Sequence, residues 1–234
     1  SICRGNSPPP IESIDPLVGP ITNLLIHMQD INEEILMDAL WTLSYMSKCG
    51  ETMIECIMTS NNSVLPNLIF ITANPEMNQI LLVALRILTN FTCGNDEQKK
   101  CVVDAGILYH ARTLMMNQKS KVRKEITRLL ANVSVGTSNH ICEMMKKPQL
   151  LKTIVDKARH DIWEIRKECV WILVNICCYG KHDHIRMVVG ANGLEPLCSS
   201  LTCPETDLIC GILDALDKVL NLRFQDDMKW VLYL

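Results

Sequence analysis

Apolar residues recur along this chain at helical spacing, and no β-type alternation of useful length interrupts them. Four segments stand out: DALWTLSYMSKCG (38–50), VALRILTNFTCG (83–94), EITRLLANVSVG (125–136) and ECVWILVNICCYG (168–180). Each reads as an apolar helix running to a glycine, namely Gly50, Gly94, Gly136 and Gly180. Glycine accepts the left-handed cap conformation cheaply, so each is expected to end its helix. Shorter helical pieces lie between these blocks. Residues 98–115 read as two helices broken at Gly106, and residues 184–201 as two broken between Gly190 and Gly193. Pro20, Pro66, Pro75, Pro148, Pro196 and Pro204 are expected near helix starts and outside long helices. Asn74 with Pro75 reads as an N-cap followed by proline at the first helical position.

The four blocks align. One position carries Trp41, Arg86, Arg128 and Trp171; four residues later stand Tyr45, Asn90, Asn132 and Asn175. The steps 45→90, 90→132 and 132→175 give a period of about 42–45 residues, the range of armadillo and HEAT repeats. A fifth copy, LICGILDALDKVLNL (208–222), puts Asp214 and Lys218 at the two positions. Two short helices and one long one per unit favour armadillo over the two-helix HEAT unit. The expected fold is all-α: a right-handed armadillo solenoid over residues 1–222, with a diverged carboxy-terminal segment at 223–234. SICRGNSPPP (1–10) reads as the tail of an earlier long helix, and MKWVLYL (228–234) as a docked cap or a sticky terminus. Stacked repeats need polar caps. Uncapped ends leave homo-oligomerisation open.

Composition narrows the function. With 48% hydrophobic residues and a net charge of −3 over 234 residues, disorder is excluded and nucleic acid is not the expected partner. No run is long and apolar enough to predict a membrane span. The 12 cysteines lack zinc-finger spacing. They read as reduced structural thiols, several of them buried in apolar runs such as ECVWIL and NICCYG. Cys177 and Cys178 are expected to point in two directions rather than form a redox pair. The pair His182/His184 cannot share one helical face, so no metal or other cofactor is expected. Lys119, Lys121, Arg123 and Lys124 read as the solvated start of a helix. No catalytic constellation suggests an enzyme.

The aligned positions offer a binding chemistry. Glu168, Trp171 and Asn175 share a helical face, as do Glu125, Arg128 and Asn132. A side-chain amide can both donate to and accept from an extended peptide backbone. A Trp face can flank the stem of Lys or Arg, and a carboxylate one turn earlier can meet its cationic tip. Asn90-Phe91-Thr92 and Asn132-Val133-Ser134 match the glycosylation triplet, but both lie within expected helices of a thiol-rich chain.

Taken in order, SICRGNSPPP, WTLSYMS, ALRILTNFTCGNDEQ, ANVSVG, WILVN and EPLCSSLTCPETDLICGILDAL resemble the carboxy-terminal half of the armadillo domain of importin-α (karyopherin-α), over about residues 1–222. The resemblance implies an adaptor of nuclear import, shared between cytoplasm and nucleus, that binds basic nuclear localisation signals in two sites of its concave groove. Arg4, Asp38, Trp41 and Tyr45 match the far edge of the major site or the stretch just beyond it. Arg86, Asn90, Glu125, Asn132, Glu168, Trp171 and Asn175 match the minor site, with Asp96 as a further carboxylate. Arg128 stands where the family has a Trp, which removes one wall of a Lys pocket and adds a repelling charge. Glu125 is expected to neutralise it through an i, i+3 pair. The family's importin-β-binding segment is absent from these residues, so importin-β is a partner only if such a segment precedes them. The alternative is a diverged armadillo scaffold with a dedicated partner and no cargo, motivated by Arg128, Asp214 and Lys218.

Overall fold

The computed structural model describes residues 11–74 and 77–225, with side chains for 13–74 and 77–222. Among the described residues there are 14 α-helices and no strand. They form two compact units, dividing between Asn132 and Val133. Arg4 and the segments 1–10 and 228–234 lie outside the described residues.

The first unit opens with α1 (Ile11–Ile26) and α2 (Glu33–Met46). Asn32 caps α2 by accepting from Glu34 N–H at 2.7 Å, and Glu33 and Glu34 place negative charge at its positive end. Leu36, Leu40 and Leu43 follow at i, i+4 and i+7 and are buried. Two short helices, α3 (Glu51–Ser60) and α4 (Val64–Ala73), lead to a third, α5 (Leu81–Phe91), which packs on α2. The triplet repeats as α6 (Asp96–Asp104), α7 (Ile107–Met115) and the long α8 (Ser120–Ser134). Asn95 and Gln98 form a capping box at α6. Gln98 is buried, and its amide also donates to Glu51 O at 3.0 Å, tying α6 to α3.

The second unit contains α9 (Ser138–Met145), α10 (Pro148–His160), α11 (Trp163–Tyr179), α12 (His182–Gly190), α13 (Leu194–Ser199) with a 3-10 turn at Ser200–Thr202, and α14 (Thr206–Gln225). Helix α11 packs between α10 and α14. Its core face includes Cys169 and Cys177, each almost fully buried. The expected breaks at Gly106 and at Gly190–Gly193 fall where they were read.

Two expectations are corrected. Pro16 and Pro20 lie inside α1. Both are exposed, while Ile14, Val18, Thr22 and Leu25 are buried. Asn74 closes α4, its N–H donating to Phe70 O; Pro75, the expected first helical position after it, lies outside the described residues. Only Gly50 (φ 109°) and Gly136 (φ 124°) of the four block glycines are left-handed, whereas Gly180 closes α11 in extended backbone at φ −77°.

Candidate functional site

The aligned positions fall on the third helix of each triplet: α2, α5 and α8 in the first unit, α11 and α14 in the second. Within the first unit they form a connected row. Trp41 and Tyr45 stack on α2 with ring centroids 5.8 Å apart. Each ring also carries a cation from the chain. The Arg86 guanidinium lies 5.2 Å from the Trp41 centroid, and Lys48 Nζ lies 5.7 Å from that of Tyr45. Arg86 Nε is also 3.9 Å from Glu125 Oε2. Arg86 of α5 thus bridges an aromatic face on α2 and a carboxylate on α8.

That bridge overturns the expected Glu125–Arg128 pair. Glu125 is turned toward α5 with its side chain only 14% exposed, so it answers Arg86 and leaves Arg128 exposed on α8.

The asparagines have a regular set of partners. Asn90 Nδ2 donates to Ser47 Oγ at 2.8 Å and Ser44 O at 3.1 Å. Asn132 Nδ2 donates to Thr92 Oγ1 at 3.2 Å, with Cys93 Sγ also at 3.2 Å. Asn175 Nδ2 donates to Ser134 Oγ at 2.9 Å. Every amide reaches the end of the third helix one repeat earlier. The acceptors Ser47, Thr92 and Ser134 are all buried. Thr92 and Ser134 are the hydroxyl positions of the two Asn-x-Ser/Thr triplets, and Ser47 stands at the same offset from Tyr45. Sequence reasoning missed these acceptors, although the offset of two residues was in plain view. Asn90 and Asn132 are half-buried; Asn175 is only 5% exposed.

In the second unit Glu168 and Trp171 are half-buried on α11. Trp171 is seated by Gly211 of α14, where a Cβ would come within 2.9 Å of the indole ring. The hydroxyl series stops here: Asn175 is followed two residues later by Cys177, and α14 carries Asp214 and Lys218, both exposed. Burial pushes the Cys177 thiol up to about 12. Burial and then the Asp214 carboxylate raise that of Cys178. His184 Nδ1 accepts from Lys181 N–H at 3.1 Å, inside the start of α12.

The other expected residues lie apart from the row. Asp96, in the first turn of α6, pairs with Lys99 at 3.5 Å. Asp38 is exposed one turn before Trp41 on α2. Of the basic run before and within α8, Lys119, Lys121 and Lys124 are exposed as expected. Arg123 instead turns back, donating to Asn117 O at 2.9 Å and Gln118 O at 3.0 Å. No described helix is long and apolar enough to cross a membrane.

No family model matches the chain. Importin subunit alpha-1b of Oryza sativa subsp. japonica is 30% identical over 222 residues, covering 95% of this chain and 40% of that protein. Importin subunit alpha-3 of Arabidopsis thaliana is 30% identical over 220 residues, covering 94% of this chain and 40% of that protein. The chain thus spans about two fifths of the length of the curated relatives it matches. A designed armadillo repeat protein, solved in complex with the peptide (KR)4, superposes with a TM-score of 0.78 at 21% identity, covering 89% of this chain and 85% of that one. That likeness is one of fold: three-helix armadillo repeats in a solenoid.

Proposed function

Because the chain is homologous to importin subunit alpha over 95% of its length and folds as armadillo repeats, we propose that it is a nuclear-import adaptor-like module binding extended basic peptides of the nuclear-localisation-signal type along its third helices. The observation that carries this reading is the recurrence, on α2, α5, α8 and α11, of an aromatic or arginine followed one turn later by an aromatic or amide side chain.

Each unit has its own role. In the second unit, Trp171 offers an indole face held by Gly211, with Glu168 one turn earlier to meet a Lys or Arg tip. A cation over that face is worth about 0.5–2 kcal/mol. In the first unit, the amide N–H groups of Asn90 and Asn132 are engaged between repeats, which leaves their Oδ1 atoms to accept peptide N–H groups. Asp38 and Glu125 supply negative charge beside Trp41, Tyr45 and Arg86, and Asp96 is a more remote carboxylate. Asn175, nearly buried, acts by holding α11 to Ser134 so that Trp171 keeps its place. The designed armadillo protein holding (KR)4 is an instance of this fold accommodating a basic peptide. Signal-bearing cargo, movement between cytoplasm and nucleus, and importin-β through a segment beyond these residues complete the proposal.

The test is calorimetric titration with a Lys-rich signal peptide against the wild type and Trp171→Ala. A loss of about tenfold in affinity, roughly 1.4 kcal/mol, is expected. Unchanged affinity contradicts the placement. A second reading, a diverged scaffold for a dedicated partner, is favoured by the exposed Arg128 and Lys218 in the row. Pull-downs that recover one non-basic partner and no signal-bearing cargo would decide for it.

A further inference from the structure

We infer that the exposed face of α8 is a docking surface for an acidic peptide segment; it shares Arg128 with the aligned row described above and takes a partner of the opposite charge. Lys121, Lys124 and Arg128 follow one another at i, i+3 and i+7, so they project from one face of the helix. All three are exposed, and none of them is in an ion pair among the described residues. The carboxylate between them, Glu125, is turned away to Arg86 and only 14% exposed. Arg123, the remaining cation of the run, is turned back onto Asn117 and Gln118. The face therefore carries three cations and no outward carboxylate of its own.

Like charges at i, i+3 and i, i+4 disfavour a helix, so the pairs Lys121/Lys124 and Lys124/Arg128 oppose the formation of α8. An anionic partner reverses that effect. The ridge leads into a cleft of about 310 Å³, lined by Asn78, Gln79, Leu82, Lys119, Ser120 and Lys121. Its amides and hydroxyl can donate hydrogen bonds to peptide carbonyls, and Leu82 gives it an apolar floor. The opposite sign of charge over two turns identifies the partner as an extended segment rich in Asp, Glu or phosphorylated side chains. An extended chain rises about 3.3 Å per residue, so a segment of only a few residues spans the ridge.

The experiment is fluorescence anisotropy with labelled (Glu-Ser)4, at about 50 mM and about 200 mM salt, to follow screening. The triple substitution Lys121→Ser, Lys124→Ser, Arg128→Ser is compared with wild type and with the control Lys152→Ser, Lys181→Ser. Both control lysines are exposed on the second unit. Circular dichroism checks that helix content is kept. Saturable binding, weakened at least tenfold by the triple substitution and left unchanged by the control, is the expected result. Unchanged affinity in the triple variant, an equal loss in the control, or tighter binding of single-stranded DNA through the same three residues would overturn the inference. A Lys-rich peptide titrated in parallel against wild type and Trp171→Ala, on the second unit, tests the basic-peptide reading away from α8, so the two can fail separately.

Discussion

Asn132 donates its side-chain amide to Thr92 Oγ1, 3.2 Å away on the turn after α5. The bond joins one third helix to the end of the previous one. The same bond links Asn90 to Ser47 and Asn175 to Ser134. The asparagine series is therefore first a clamp between successive repeats, and any peptide it binds meets side chains already fixed in place. Fixing them beforehand lowers the entropy cost of ordering at the site.

Asn175→Ala leaves the buried Ser134 hydroxyl without this donor. That hydrogen bond is worth about 0.5–1.5 kcal/mol net, so the urea midpoint should fall accordingly. Asn90→Ala, at a half-buried site, should cost less than Asn175→Ala.

Arg86→Ala removes the chain's own cation from the Trp41 face and frees Glu125. The expected outcome is tighter binding of a Lys-rich peptide in calorimetric titration, by about two- to thirtyfold, since one cation–π contact is worth about 0.5–2 kcal/mol. Weaker binding would show that Arg86 positions the row rather than competing with the peptide.

Gly211→Ala puts a Cβ within 2.9 Å of the Trp171 ring, and Gly211→Val adds two methyl groups there. Overpacking of this kind costs about 1–3 kcal/mol. Indole emission should shift in both variants, and peptide affinity should fall with it if Trp171 is the cation-binding face.

Two thiols, the buried Cys177 and the half-buried Cys56, predict an alkaline limit to stability. Cys177 is held at about 12 by burial, above the ordinary 9.0. Cys56 is held at about 11, by burial and by its hydrogen bond to Asp15 Oδ1 at 2.8 Å. A folded value above the unfolded one means stability that is whole below pH 9 and lost as pH rises toward 11–12. Urea midpoints measured from pH 8 to pH 11 should fall. Asp15→Asn should lessen the part due to Cys56.

Much of this architecture was legible before any coordinates. A period of 42–45 residues, glycines after apolar blocks and two short helices per long one led directly to armadillo repeats, because each repeat solves the same packing problem. Pro20 was misread because local rules compete: packing of Ile14, Val18 and Leu25 outweighs the helix-breaking cost of exposed prolines. The row itself was visible as aligned residues, but its wiring was not. Glu125 was expected to meet Arg128 along one helix and instead meets Arg86 on the neighbouring one. Such cross-helix partners depend on how adjacent repeats face each other, which spacing within one helix cannot express. Two of the three hydroxyl partners of the asparagines, Thr92 and Ser134, were present in Asn-x-Ser/Thr triplets and carried a meaning other than glycosylation.

The central claim is that this row of side chains recognises basic extended peptide. Calorimetric titration of the wild-type chain with a Lys-rich signal peptide, beside the same peptide with its lysines replaced by alanine, tests it most directly. Saturable binding of the first and loss of binding with the second is the predicted result; no saturable binding, or equal affinity for both, would contradict it.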